Sequence, residues 1–258
     1  MPDSHTIAEN LTRLQTARTN IATAITTKGG TVASGAGFED FPTAIGTIPA
    51  GGGDDSFAKL VDRSIVTANI PSGVTGIGLS AFCGCESLTS VTIPNGVTGI
   101  SGSAFDGCTH LPSITIPNGV TSIGAYAFNR CYALASITIP NSVISIGDKA
   151  FSQCRSFITV ALPNAIPGIG LGLFYECKSL ASITIPSSVT SIGSQAFMNC
   201  TSLTSIKFES TTPPTVANSN AWTNLPTTCT IQVPTGSLTD YTTAAKYPNP
   251  NTYTYVEY

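Results

Sequence analysis

Residues 94–116 read PNGVTGISGSAFDGCTHLPSITI, and residues 117–139 read PNGVTSIGAYAFNRCYALASITI. These are two copies of one 23-residue unit, and the unit runs six times without insertion from Pro71 to Phe208. Proline recurs at Pro71, Pro94, Pro117, Pro140, Pro163 and Pro186. Phenylalanine recurs at Phe82, Phe105, Phe128, Phe151, Phe174 and Phe197, with cysteine three residues later at Cys85, Cys108, Cys131, Cys154, Cys177 and Cys200. Self-similarity at a fixed short period marks a solenoid, in which each unit buries its apolar face only by stacking on its neighbours.

The unit divides into local signals. Ser90–Ile93 alternates polar and apolar, so it predicts a strand with Val91 and Ile93 inward and Ser90 and Thr92 outward. Pro94 ends that strand because it has no N–H for a ladder. Val97–Ile100 is a second extended piece. The glycines after its isoleucine, Gly78, Gly124, Gly147 and Gly193, are expected to permit a tight turn. Ala104 and Phe105 then fill the interior opposite the strand, and the phenylalanines of successive coils should stack into an aromatic spine. Six of the eight cysteines occupy one equivalent position, which reads as a column of small buried hydrophobes and not as a disulfide framework. Residues 163–185 are the most divergent unit, with Ala165-Ile166-Pro167, and a local distortion is expected there.

The pattern resembles the leucine-rich repeats of the BspA type over about residues 57–241. The family motif L-x-x-I-x-(I/L)-P, then (L/V)-x-x-I-G-x-x-A-F-x-x-C, is met at Leu88, Val91, Ile93 and Pro94, then Val97, Ile100, Ala104, Phe105 and Cys108. The resemblance implies a leucine-rich-repeat solenoid of short parallel strands with capped ends. It also implies binding or adhesion at a surface, without naming a partner.

The ends of the array need covers. Ile65, Ala68 and Ile70 match the strand positions one period early and predict a capping strand, with Leu60 and Val61 beside it. Past Phe208, Ile231, Val233 and Pro234 resemble one more strand end, and Ser237-Leu238-x-x-Tyr241 a closing helix. Trp222 reads as cap core. Tyr247, Tyr253, Tyr255 and Tyr258 either complete the cap or meet a partner.

Upstream the composition changes. Residues 49–56 (PAGGGDDS) are a linker, so residues 1–48 form a separate N-terminal module and 57–258 the solenoid with its caps. Residues 5–27 read as an α-helix with Ser4 as N-cap and a stop at Gly29-Gly30. Its apolar residues Ile7, Leu11, Leu14, Ile21 and Ile25 fall on a heptad seam, with Arg18 in the one polar position. A lone helix of this length is marginal in water, so it is expected to oligomerise or to dock on another protein. Together with Phe41, Pro42, Ile45 and Ile48, this region resembles an N-terminal module of phage virion and tail-region proteins.

Composition narrows function. Only 10% of residues are charged and the net charge is −3, which leaves no basic surface for nucleic acid or anionic lipid. No apolar run reaches membrane-spanning length. Residues 1–20 carry Asp3, Glu9, Arg13 and Arg18 in place of the apolar core of a secretion signal. The expected location is therefore a virion, or outside the cell by a route without a signal peptide, with a cytoplasmic stage before assembly. Two separated histidines, His5 and His110, offer little acid–base or metal-binding material, and no catalytic motif or cofactor fingerprint occurs. The expectation is a non-enzymatic binding protein, without cofactor, for a protein or a surface glycan. A virion or tail component contacting a bacterial surface leads. A bacterial surface protein of the BspA kind and a purely structural decoration protein are the alternatives.

Two surfaces are candidates. The outward strand positions give a hydroxyl face of Ser90, Thr92, Ser113, Thr115, Ser136 and Thr138, continued at Thr159, Ala161, Ser182, Thr184, Ser205 and Lys207. The positions around the Phe–Cys turn vary between repeats, and there Arg130, Tyr132, Arg155, Tyr175 and Lys178 supply charge and aromatic area for recognition.

Overall fold

The computed structural model describes residue 63 and residues 65–70 and 72–258. Each coil contributes two short strands. In chain order these are β1 (Thr67–Asn69), β2 (Gly76–Ile77), β3 (Ser90–Thr92), β4 (Gly99–Ile100), β5 (Ser113–Thr115), β6 (Ser122–Ile123), β7 (Ser136–Thr138) and β8 (Ser145–Ile146). Then come β9 (Thr159–Val160), β10 (Gly168–Ile169), β11 (Ser182–Ile185), β12 (Ser191–Ile192), β13 (Ser205–Phe208), β14 (Thr215–Val216), β15 (Thr230–Val233) and β16 (Thr254–Glu257). All pairs are parallel, and within the array the register advances by one unit, as in Ser113↔Ser136 and Ile114↔Ile137. First strands make one wall, second strands another.

The Phe segment makes a third wall, which carries no strand. Its amides alternate. Ser103, Phe105 and Gly107 donate to Ala125, Ala127 and Asn129 of the next coil at 2.7–2.8 Å, while Ala104, Asp106 and Cys108 donate three residues back within their own coil. Two left-handed residues per coil fold this segment. One column is Ser80, Ser103, Tyr126, Lys149, Gly172 and Gln195, the other Gly84, Gly107, Arg130, Gln153, Glu176 and Asn199, with φ from +53° to +77°. A side chain in this region costs about 1–2 kcal/mol, so the inter-coil bonds must hold it there. Non-glycine residues occupy most of these sites, which hid both columns from the sequence reading.

Between the walls lies a continuous core. The phenylalanine rings from Phe82 to Phe197 stack at 5.0–6.0 Å with interplanar angles of 1–15°. That is the offset geometry aromatic pairs prefer. Trp222 continues the spine, 5.4 Å from Phe197 and tilted by 7°. It is buried, and its Nε1–H donates to the Lys246 carbonyl, so it is cap core.

The turn after the second strand does start at these glycines, since Ala81, Ala127, Ala150 and Ala196 donate to Gly78, Gly124, Gly147 and Gly193, but the turn is not what requires glycine. Gly124, Gly147 and Gly193 have no left-handed φ. A Cβ on Gly193 would lie 2.6 Å from the Gly170 carbonyl carbon, and one on Gly124 or Gly147 would fall on the backbone of the coil before. They are glycine because coils approach there backbone to backbone. Gly170 stands in the same register.

Proline interrupts two walls. On the second wall, the amides of Thr98, Thr121 and Ile144 bond to Thr75, Thr98 and Thr121 at 2.8–2.9 Å. Pro167 occupies the next donor position, and β8 and β10 do not pair. The expected distortion in residues 163–185 thus has a cause, one missing N–H. The Asp148 carboxylate takes up the Leu171 amide at 2.8 Å beside the gap. On the first wall, Thr89 bonds to Val66 and Ala135 to Pro112. Pro112 has no proton to offer the Thr89 carbonyl, and β3 and β5 do not pair.

Beyond the array, β15 and β16 extend the first wall, and helix α1 (Leu238–Thr243) closes the end with Tyr241 buried. The hydroxyls of Tyr247, Tyr253, Tyr255 and Tyr258 all donate to backbone carbonyls at 2.8–3.3 Å. The C-terminal tyrosines therefore complete the cap.

Two outcomes follow from this geometry. Gly147→Ala should lower stability by about 1–3 kcal/mol, as over-filling a close contact does, read from the urea midpoint. Pro167→Thr returns a donor opposite the Ile144 carbonyl, and hydrogen exchange should show a protected amide at 167; fast exchange there would mean the gap has another cause.

Candidate functional site

The strand wall presents its alternate side chains to solvent. Ser90, Thr92, Ser113, Thr115, Ser136 and Thr138 are all exposed, as are Thr159, Ala161, Ser182 and Thr184. The columns stay in register through Ser182↔Ser205 and Thr184↔Lys207. Among the described residues, the six hydroxyls from Ser90 to Thr138 have no side-chain hydrogen bond within the chain. The threonines flanking the strands differ. Thr89, Thr98, Thr121, Thr190 and Thr204 each donate Oγ1–H to a carbonyl of the preceding coil at 3.0–3.1 Å. The flanking hydroxyls are thus committed to coil stacking, and the outward ones are available to a partner. At the C-terminal end of this wall, Gln232 donates to the Ser205 hydroxyl, and the Lys207 ammonium lies 3.9 Å over the Tyr258 ring.

The Phe–Cys wall carries the charged candidates, and there they pair between coils. Arg130 reaches back to Asp106 with both Nε and one terminal nitrogen at 3.1 Å. Asn129 adds a third bond to that carboxylate at 2.9 Å, and Asp106 is 9% exposed. Arg155 joins Glu176 at 3.2 Å and lies 4.8 Å over the Tyr132 ring. The neighbouring Glu176 carboxylate raises the pKa of the Tyr175 hydroxyl. So the structure links Tyr132, Arg155, Glu176 and Tyr175 in one chain of contacts and leaves Arg130 one coil away with its own acid. Lys178 is exposed in the column of Tyr132 and Arg155. Nearby, Ile158 is exposed at 55% in the column of Pro112 and Ala135. Nothing near Asp106 or Glu176 in the sequence points to a partner. Their partners lie 24 and 21 residues away, and only coil stacking brings them together.

Below this wall the cysteines do more than fill space. All eight are free thiols. Cys108, Cys131, Cys154, Cys177 and Cys200 each donate S–H to the carbonyl of the Phe 26 residues earlier, at 3.1–3.2 Å. Burial raises these thiols above their ordinary value of 9.0, with Cys200 at about 12, so they are inert as nucleophiles.

Among the described residues no cluster of three His, Cys, Asp or Glu side chains could hold a metal ion, and no helix is long and apolar enough to cross a membrane. The helix seam Ile7, Leu11, Leu14, Ile21 and Ile25 and the 49–56 linker lie outside the described residues.

Residues 53–167 and 121–245 match the BspA type leucine rich repeat region, in six copies. Among solved structures, the chain is similar to a leucine-rich repeat protein of Treponema pallidum. Identity is 32%, the match covers 54% of this chain and 65% of that one, and the TM-score is 0.51. It is also similar to a leucine-rich repeat protein of Bacteroides ovatus, at 28% identity over 66% of this chain and 56% of that one, with a TM-score of 0.51. The chain thus spans less than two thirds of the length of either. No curated protein is significantly similar to it.

The thiol column sets a pH dependence. Folding favours the protonated thiol, so this contribution is complete below about pH 9 and declines as pH climbs from there toward the folded values. Denaturation midpoints measured across the alkaline range should fall accordingly. Replacing the thiol should give a matching order: Cys154→Ala should cost about 1 kcal/mol from the lost donor, and Cys154→Ser, which keeps one, less.

Proposed function

Because the chain belongs to the BspA type leucine-rich repeat family, we propose that it is a non-enzymatic binding protein whose strand wall docks a partner protein or a surface glycan. One observation carries the choice of wall. The hydroxyls of Ser90, Thr92, Ser113, Thr115, Ser136 and Thr138 are exposed and uncommitted on a rigid lattice, while the arginines of the Phe–Cys wall are already paired with Asp106 and Glu176. A hydroxyl both donates and accepts. A flat array of them suits main-chain amides or sugar hydroxyls, and its lack of charge avoids the desolvation that ions impose. The narrower reading is attachment: residues 1–48 tether or oligomerise the chain, and several solenoids then bind together on a bacterial surface with raised avidity. The heptad seam and the resemblance of residues 1–48 to phage tail-region modules support it.

The test uses the labelled full chain on a panel of bacterial surface glycans and on whole bacterial cells. A Thr115→Arg/Thr138→Arg variant should lose binding, because two long cations then stand on the wall. A variant with Arg130, Arg155 and Tyr175 changed to Ser should keep it. The opposite pattern would move the site to the Phe–Cys wall and sink this assignment.

A further inference from the structure

The strand wall is bordered by a row of turns that share a backbone and differ in one residue. Pro94-Asn95-Gly96-Val97 is closed by the Val97 amide on the Pro94 carbonyl at 3.1 Å. Pro117-Asn118-Gly119-Val120 and Pro140-Asn141-Ser142-Val143 are closed the same way at 3.0 Å. The closing bond uses the fourth residue's N–H, so the amide nitrogen of the third is not part of it. Asn95, Gly96, Asn118 and Gly119 are all exposed. Among the described residues, neither the Asn95 nor the Asn118 side chain has a hydrogen-bond partner. Asn141 is exposed too, but its side chain is engaged and serine follows it. Its Oδ1 accepts the Asn164 amide at 3.4 Å, and the Ser142 hydroxyl is held by the Val120 carbonyl at 2.7 Å.

We propose that Asn95 and Asn118 are sites of spontaneous deamidation. The backbone nitrogen of Gly96 or Gly119 attacks Cγ of the preceding asparagine, forming the N–Cγ bond and giving up its proton to solvent. The Cγ–Nδ2 bond breaks, and the side-chain nitrogen takes up a proton and leaves as ammonia. Water then opens the cyclic imide at one of its two carbonyls, leaving aspartate or isoaspartate, so the whole change consumes one water and releases one ammonia. Glycine favours the first step because no Cβ shields the attacking nitrogen and the peptide can turn toward the side chain.

A second motif of this spacing is held differently. Asp106-Gly107 has the same spacing and could form the same imide, but the Asp106 carboxylate is buried and bound by Arg130 and Asn129. Only the two turn-tip asparagines combine a free side chain with a glycine neighbour. Each event adds one negative charge to a chain of net charge −3, just past the end of the strand wall. The two sites are one coil apart, so a carboxylate at one stands near the other and opposes a second like charge.

The experiment holds the folded full chain at mildly alkaline pH and follows it by peptide mapping, with isoaspartyl methyltransferase labelling as the second readout. Asn95 and Asn118 are expected to convert several-fold faster than Asn141. Gly96→Ser should bring position 95 down to the rate of Asn141 and leave 118 converting at least as fast. A Cβ on Gly96 has its nearest neighbour at 3.4 Å, so this variant keeps the turn. If the folded chain converts Asn95 and Asn118 no faster than Asn141, while the urea-unfolded chain does, the turn protects them and the proposal is overturned.

Discussion

The hydrogen bond between one coil and the next is the interaction on which this structure depends. A 23-residue coil with strands of two to four residues cannot satisfy its own backbone or bury its own apolar face. Each neighbour supplies the missing partners along all three walls, and the core follows from that spacing. Phenylalanine rings stack because the chains carrying them are held at a fixed pitch, and the cysteine thiols reach the preceding carbonyls for the same reason. Glycine marks the places where the pitch brings backbone against backbone. Where proline takes the place of a donor, at Pro112 and Pro167, one ladder opens while the core beside it stays closed. Leu111, Ile114, Ile166 and Ile169 are all buried. Apolar stacking therefore carries the array across each gap.

The same logic separates the two candidate surfaces. On the Phe–Cys wall, variable side chains found partners within the chain, so Arg130 and Arg155 act first as clamps between coils. With the arginine end of each pair half-exposed, these ion pairs contribute modestly to stability, but they do fix side-chain positions and leave less free charge to offer a ligand. From Ser90 to Thr138 the outward hydroxyls of the strand wall have no such internal commitments. Its uniformity comes from repetition of one Ser-x-Thr strand, and that repetition gives it a regular two-dimensional spacing.

How much of this was legible in the sequence depended on distance along the chain. The repeat, the strand at Ser90, the aromatic spine and the cap role of Trp222 could be read from local pattern alone. The Pro167 distortion could be read too, because a missing N–H is a local fact. The glycine function was legible only in part: Gly147 does open a turn, but it is glycine because Ala125 of the coil before stands where its Cβ would be. The two left-handed columns were hidden because Tyr126, Lys149 or Glu176 in such a conformation has no composition signal. The Arg130–Asp106 clamp needed the register, since nothing in either residue's neighbourhood points across a full unit.

The Phe wall also has a direction. Each coil gives its free amides to the coil that follows and accepts from the coil before, so the peptide dipoles on that wall add instead of cancelling. A coil inside the array is neutral in this exchange. Whole units can then be gained or lost by duplication or deletion without leaving a polar group stranded. The forward end has no such freedom, because it must offer acceptors. Here Phe197 and Asn199 donate to the carbonyls of Ala221 and Thr223, and Gln195, in the third position, donates to the side-chain oxygen of Asn220. The length of the array is thus free to change over evolutionary time, and the chemistry of the terminus that receives it is not.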